Sequence, residues 1–275
     1  MIVLGFDTAT RATAVALRLA DGSTLQTRDD PAPDERPGHA TRLLEMADGL
    51  LASAGIGWGA LERIAVGRGP GTFTGLRVGV ATARGLAQSL GVELVGVSSL
   101  RALAAGAAKC TRQGGVGMEL ARAADREVIL AVLDARRGEA FAAAYLLIEQ
   151  EGLEELVSPR ALVPEQLGSI VAQAETHLAD GRGGGWLGIG DGAVRFRGEL
   201  EAAGVTVPPD ASPMHLLSAA AICELGAQAP AAALGQSVLP EYGRRPDAEI
   251  ALERKRAVAV AQTAAAGLAR EGGAS

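Results

Sequence analysis

Two aspartates and one glycine-rich turn are the residues whose type and spacing could do chemistry in this sequence. Asp7 closes the apolar run "IVLGF" and Asp134 closes "VILAVL". A carboxylate at a strand end is where phosphate and metal chemistry is often sited, and it is equally the residue that caps a tight turn through its own backbone. Between them lies "GRGPGTFTGLRVG", Gly67–Gly79, which follows an apolar strand pattern and opens a helical one. The first N–H groups of a helix can hold an anion, which makes Asp7, Thr8, Gly71, Thr72 and Arg77 the candidate anion or nucleotide contacts. A phosphate-cradling Walker loop needs a lysine after its last glycine; here the nearest basic residue is Arg77. Whether the loop holds an anion or only makes a close turn stays open at this level.

The rest of the catalytic inventory is thin. His39, His177 and His215 are isolated and form no HxxxH or HExxH pair to seat a metal on one helix face. Cys110 and Cys223 lie far apart with no neighbouring histidine, and Ser98–Ser99 in "GVSSL" lacks the GxSxG elbow of a nucleophile. No catalytic residue and no metal ligand is assigned, which disfavours a peptidase.

The helix after the glycine-rich turn carries a second signal. Gly75, Gly79, Ala83 and Ala87 recur every four residues, so one face has no bulk. A glycine inside a helix costs roughly 1 kcal/mol relative to alanine, and close approach of another backbone would explain it. That backbone could belong to the chain's own sheet or to another chain.

The elements that must position these residues read as alternating strands and helices. "IVLGF", "TAVALRL" and "TLQTR" form a meander, and "HATRLLEMADGLLASAG" sets Leu43, Leu44, Ala47, Leu50 and Leu51 at helical spacing. "RIAVG" is a strand, "TGLRVGVATARGLAQSLG" a helix, "ELVGVS" a strand and "SLRALAAGAAK" a helix. Thr111–Glu127 is polar and Gly-rich and reads as a surface excursion. Further on, "VPEQLGSIVAQA" is a helix, "GGGWLGIGDGA" a strand with Asp191 placed to cap the helix after it, and "SPMHLLSAAAICELGAQ" a single helix. "LPEYGRRPDAEI" is non-helical, and the last residues read as a frayed end. The hairpin "VILAVLDARRGEAFAAAYLLIEQ" repeats the pattern of "IVLGFDTATRATAVALRL", a strand, an aspartate at the turn and a strand, as two similar lobes would.

Composition sets limits. Of 275 residues, 48% are hydrophobic but only 3% aromatic, so the core is built from Ala, Val, Leu and Ile. The net charge of −6 argues against a chain that grips a nucleic-acid backbone alone, and any RNA role is expected to be shared with a basic partner. The opening "MIVLGFDTAT" lacks the basic start and long apolar core of a signal peptide, and no run of about 18 apolar residues suggests a membrane span, so neither is expected. With two separated thiols, the expected location is the cytoplasm.

Taken in order, "VLGFDTAT", "GPGTFTGLRVG", "SSLRALA", "DARRGEAF" and "PEYGRR" resemble the ordered marks of the TsaB family, across nearly the whole stretch Met1–Glu249. The resemblance implies an α/β, two-lobed actin/hexokinase-like (ribonuclease H-like) fold with mixed β-sheets flanked by helices. It places an N-terminal lobe at 1–104, a smaller lobe at 105–235 and a tail at 236–275. It also implies a non-enzyme: a scaffold subunit for threonylcarbamoyl transfer to the adenosine beside the tRNA anticodon. Such a subunit binds and activates the related chain TsaD together with the ATPase TsaE, and is a homodimer when alone. tRNA would be met only through the complex, no cofactor would be held except a nucleotide at the partner interface, and no membrane would be involved. The implied partner interface comprises His39, Leu43, Leu44, Ala47, Leu50, Gly75, Leu76, Gly79, Ala83 and Ala87. The competing expectation is an ATP-dependent small-molecule kinase of the same superfamily, built on Asp7. Ala9 speaks against it, because active relatives carry glycine there. This chain departs from the family pattern at Gly243, where leucine is common, in the insertions at 111–126 and 181–185, and in the tail after 250.

Overall fold

The computed structural model describes residues 1–32, 34–112, 127–148, 152–178, 185–230 and 238–243. The first sheet is built from β1 (Val3–Asp7), β2 (Thr13–Arg18), β3 (Thr24–Asp29), β4 (Arg63–Gly69) and β5 (Glu93–Ser98), in the order β3-β2-β1-β4-β5. The second comprises β6 (Glu127–Arg136), β7 (Glu139–Ile148), β8 (Gly152–Leu162), β9 (Trp186–Ile189) and β10 (Val205–Thr206), ordered β10-β9-β6-β7-β8. The helices are α1 (His39–Ser53), α2 (Phe73–Leu90), α3 (Ser99–Arg112), α4 (Leu167–His177), α5 (Asp191–Arg195), α6 (Arg197–Ala202) and α7 (Ala219–Gln228).

The two sheets have the same wiring. In each, the first three strands form an antiparallel meander and the last two run parallel to the first. The hairpins β1–β2 and β6–β7 are therefore equivalent elements, as the repeated aspartate pattern anticipates. This is the two-lobed actin/hexokinase-like class, with helices covering both faces of each mixed sheet.

Strand patterning follows from that coverage. Along β1, Leu4 and Phe6 face the cluster formed with α1 and α2, while Val3 faces α7. Both faces are dry, so β1 reads as a continuous apolar run. In the second sheet Val128, Leu130 and Val132 meet α4, and Ile129, Ala131 and Leu133 meet α3. Thus α3 leaves the first sheet to cover the second, and α7 leaves the second to cover the first. Low aromatic content is accommodated by close approach: Gly5 packs on Cys223 and Gly226 on Ala65, bringing α7 down onto its sheet. Met1–Gly243 is one compact unit, and the second unit, Arg244–Ser275, lies outside the described residues.

Three sequence expectations are corrected. The stretch "GLEELVSPRAL" carries no assignment from its pattern yet forms β8, an edge strand that keeps Glu154 and Glu155 exposed. "SPMHLLSAAAICELGAQ" is not one helix. A 3₁₀ turn, Pro213–His215, comes first, and Ser218 then caps α7 by accepting from the Ala221 N–H. Asp191 is the first residue of α5, and its carboxylate takes the Asp134 N–H at 3.0 Å. Of the insertions at 111–126 and 181–185, residues 113–126 and 181–184 lie outside the described residues, as does the tail after 250.

Candidate functional site: a sealed hairpin and an exposed helix face

Asp7 is 2% exposed, and both carboxylate oxygens are engaged. Oδ1 accepts from the Ala9 N–H at 2.6 Å, the Asx turn, and Oδ2 accepts from the Ser99 hydroxyl at 2.6 Å. Ser99 Oγ in turn accepts from the Gly69 N–H at 3.3 Å. One carboxylate thereby ties together the first hairpin, the loop before α2 and the start of α3. Burial pushes the Asp7 carboxyl up to about 6, against the lowering by Ser99, the Ala9 N–H and the positive charge of Arg28.

The space in front of this hairpin is filled by the glycine-rich turn. Thr8 Oγ1 donates to the Gly75 carbonyl at 2.7 Å, and the Thr72 N–H donates to the Ala9 carbonyl at 2.7 Å. A Cβ on Gly75 would run into the Thr8 carbonyl, and one on Gly79 into the Thr8 hydroxyl. On Gly71 it would stand 2.5 Å from the Ala9 Cβ. The glycines seal the turn with backbone instead of leaving room for a phosphate, and Thr8 and Ala9 are buried beneath them.

The equivalent turn of the second lobe is tied differently. Asp134 Oδ1 accepts from the Arg136 N–H at 2.8 Å, while Oδ2 pairs with Arg195 at 2.8 Å. Burial raises the Asp191 carboxyl, and the charge of Asp134 adds to the shift against the lowering by the Asp134 N–H. Arg136 and Arg137 hold left-handed backbone, φ 64° and 54°, a conformation that costs a non-glycine residue roughly 1 kcal/mol or more.

Each expected interface residue can now be placed. His39, Leu43, Ala47, Leu50, Gly75, Leu76, Gly79, Ala83 and Ala87 are all buried within the chain itself; only Leu44, at 45%, is exposed. The physical reason is that the small-residue face of α2 is spent on Thr8 and on the apolar faces of β1 and β4. His39 sits at the start of α1 with Nδ1 2.9 Å from Thr13 Oγ1, and burial lowers its pKa against the opposing charge of Asp29. Of the expected anion contacts, Asp7 and Thr8 are buried, Gly71 and Thr72 half-buried, and only Arg77 is exposed.

What the small-residue pattern hides is the opposite face of α2. Phe73 (52% exposed), Thr74, Arg77, Ala81, Arg84, Gly85 and Gln88 line it. Gly85, in the helix interior, has nothing among the described residues within 4 Å of where a Cβ would stand. Unlike Gly75 and Gly79, it has no packing reason among the described residues. Tyr242, from the strap 238–243, lies over the head of this face against Phe73, ring centroids 5.0 Å apart. Ser99 and Tyr242 are the site residues that sequence reasoning missed. "SSLRALA" and "PEYGRR" mark their positions without showing what they touch.

Fold and site together define a two-lobed actin/hexokinase-like protein whose first phosphate-type hairpin is closed by its own backbone. Comparison with known proteins places it more finely. Residues 35–170 match the family model described as TsaD, tRNA N6-adenosine threonylcarbamoyltransferase. The tRNA threonylcarbamoyladenosine biosynthesis protein TsaB of Escherichia coli (strain K12) is 35% identical over 192 residues, 70% of this chain and 72% of that one. The TsaB protein of Haemophilus influenzae is 31% identical, over 68% and 73% of the two chains. YeaZ from Pseudomonas aeruginosa superposes with a TM-score of 0.65 at 28% identity, covering 88% of this chain and 99% of its own. The chain belongs to the TsaB family.

Proposed function

We propose that this chain is a non-catalytic partner subunit in tRNA threonylcarbamoyladenosine biosynthesis. It binds a TsaD-type threonylcarbamoyltransferase, with a TsaE-type ATPase completing the assembly, and dimerises with itself through the same surface when alone, as an isologous patch permits. The observation that carries this reading is the division of α2 into two faces. One seals the chain's own Asp7 hairpin, and the other leaves Phe73, Arg77, Arg84 and Gly85 exposed, as Leu44 is on α1. The expected interface therefore moves to the outer sides of α1 and α2, with the buried residues named from the sequence supporting it from beneath. The chain holds no cofactor of its own, a nucleotide having a place only at the interface with the partner, and tRNA is met only through the complex. The setting is the cytoplasm; among the described residues no helix is long and apolar enough to cross a membrane.

The kinase alternative needs Asp7 and the first turn open to phosphate. Gly71 and Gly75, packed on Thr8 and Ala9, argue against it. Light scattering on a mixture of the purified chain and the TsaD-type protein of the same cell, with nucleotide and the TsaE-type protein added, tests the proposal. A complex at the heterodimer mass supports it, and separate species under all conditions overturn it.

A further inference from the structure

Arg77 is the residue on which several independent features converge. Its guanidinium carbon lies 3.8 Å from the centroid of the Phe73 ring and 5.9 Å from that of Tyr242. Its Nε donates to the Tyr242 hydroxyl at 3.0 Å. Tyr242 is brought there by the strap 238–243, which is fastened by other contacts. The Glu241 N–H donates to the Arg68 carbonyl at 2.6 Å, and the Glu241 carboxylate pairs with Arg68 at 3.2 Å. Gly243, φ +62°, packs against Pro70 of the first lobe and Phe141 of the second. That backbone conformation suits glycine, which gives the family-atypical residue at this position a reason.

The guanidinium is thus fixed before any partner arrives, so little side-chain entropy remains to be lost on binding. With Nε used by Tyr242, the remaining edge of the fork presents two parallel N–H groups, the geometry that carboxylates take in bidentate pairs. Among the described residues no carboxylate pairs with Arg77, whereas Arg68 nearby holds Glu241 and Arg63 holds Glu93. The charged residues of α2 are Arg77 and Arg84, with no acidic residue in the helix, in a chain of net charge −6.

We propose that Arg77, held over Phe73 and hydrogen-bonded to the strap residue Tyr242, is a pre-formed docking point for a carboxylate on the partner subunit, with Tyr242 as its positioning residue. The proposal rests on the partner-subunit reading above. It names a protein carboxylate as the occupant because small residues (Thr74, Ala81, Gly85) flank the arginine on the exposed face. Such a surface lets another helix approach, and α2 contributes only two cations for a nucleic-acid backbone, few for strong phosphate affinity.

The test measures Kd between the full chain and the TsaD-type subunit of the same cell, from about 50 to 300 mM salt, where pairing of exposed charges weakens with screening. The variants are Arg77→Ala, Arg77→Lys, Tyr242→Phe and Tyr242→Ala, with Arg195→Ala of the second lobe as control. Arg77→Ala is expected to weaken binding about tenfold or more and to flatten the salt dependence, as loss of one charge-assisted pair does. Arg77→Lys restores less than half of that loss, because it keeps the charge and loses the fork. Tyr242→Phe weakens binding about twofold, Tyr242→Ala several-fold, and Arg195→Ala leaves it unchanged. Melting curves establish that each variant is folded; if an alanine variant is not, Arg77→Lys and Tyr242→Phe decide. Unchanged affinity in Arg77→Ala overturns the proposal. So does normal assembly of Arg77→Ala with weakened tRNA binding by the assembled complex, which would assign the arginine to phosphate. Wild-type chains that do not associate at all overturn the underlying reading, and this proposal with it.

Discussion

The Ser99 hydroxyl donates to Asp7 Oδ2 at 2.6 Å, joining residues 92 positions apart in sequence. This one contact closes the first hairpin against the head of α3, and through the Gly69 N–H it also holds the loop that launches α2. An aspartate whose position invites a phosphate role is instead a buried structural tie.

That tie gives stability a pH signature. Asp7 has a folded pKa of about 6 against an ordinary value of 3.8, so the folded state holds the proton more tightly than the unfolded chain. Its contribution favours folding most below pH 3.8, fades as pH rises through 6 and is flat above, a span of about 3 kcal/mol. Asp7→Asn should remove this component from a plot of melting temperature against pH. Ser99→Ala, which deletes a hydrogen bond to the charged form, should move it to higher pH and cost about 1–3 kcal/mol. Identical pH profiles in wild type and Asp7→Asn would refute the assignment.

His39 runs the opposite way. Its folded pKa is lowered by burial, so protonation opposes folding. The neutral ring's contribution is complete above pH 6.5 and is lost as pH falls from 6.5 toward the lowered folded value. Comparing wild type with His39→Gln by denaturant midpoints between pH 5 and 7.5 isolates the effect. The difference between the two should shrink as pH falls.

The two interior glycine sites of α2 should respond in opposite ways. Gly79→Leu drives a side chain into Thr8 and should destabilise the monomer by about 3 kcal/mol or more. Gly85→Ala fills open space in a helix interior and should stabilise by up to about 1 kcal/mol. Urea titrations of both variants read this directly, and a Gly79→Leu protein as stable as wild type would contradict the seal.

How much of this was legible beforehand depends on distance along the chain. The meander β1–β3 and helices α1 and α2 follow from local periodicity, and Gly55 and Gly91, both at φ +68°, end those helices as a sequence reader expects. β8 was hidden by Glu154, Glu155 and Pro159, which suit an edge strand and break the apolar pattern. The division of α2 was hidden for another reason. Two small-residue stripes share the helix, and periodicity alone cannot say which is covered by Thr8 and which faces outward. Only the paired hairpins, with one aspartate in each, carried the lobe duplication in the sequence itself.

The buried thiol offers a check on how α7 meets its sheet. Burial pushes the Cys223 thiol up to about 12, and its Sγ lies 3.4 Å from the Ala16 carbonyl. Alkylation at pH 8 should label the half-buried Cys110 in the native protein and reach Cys223 only in denaturant. Mass spectrometry of a timed reaction decides it; equal native labelling of both would contradict the packing of α7 on β1.

The central claim, that α2 turns one face inward to close the chain's own hairpin and offers the other to a partner, is tested most directly with Gly85→Leu. The measurement is the mass by light scattering of this folded variant mixed with its TsaD-type partner, beside wild type. The account predicts a heterodimer for wild type and separate monomer-sized species for Gly85→Leu with a melting temperature no lower than that of wild type. A Gly85→Leu chain that assembles as tightly as wild type would contradict it.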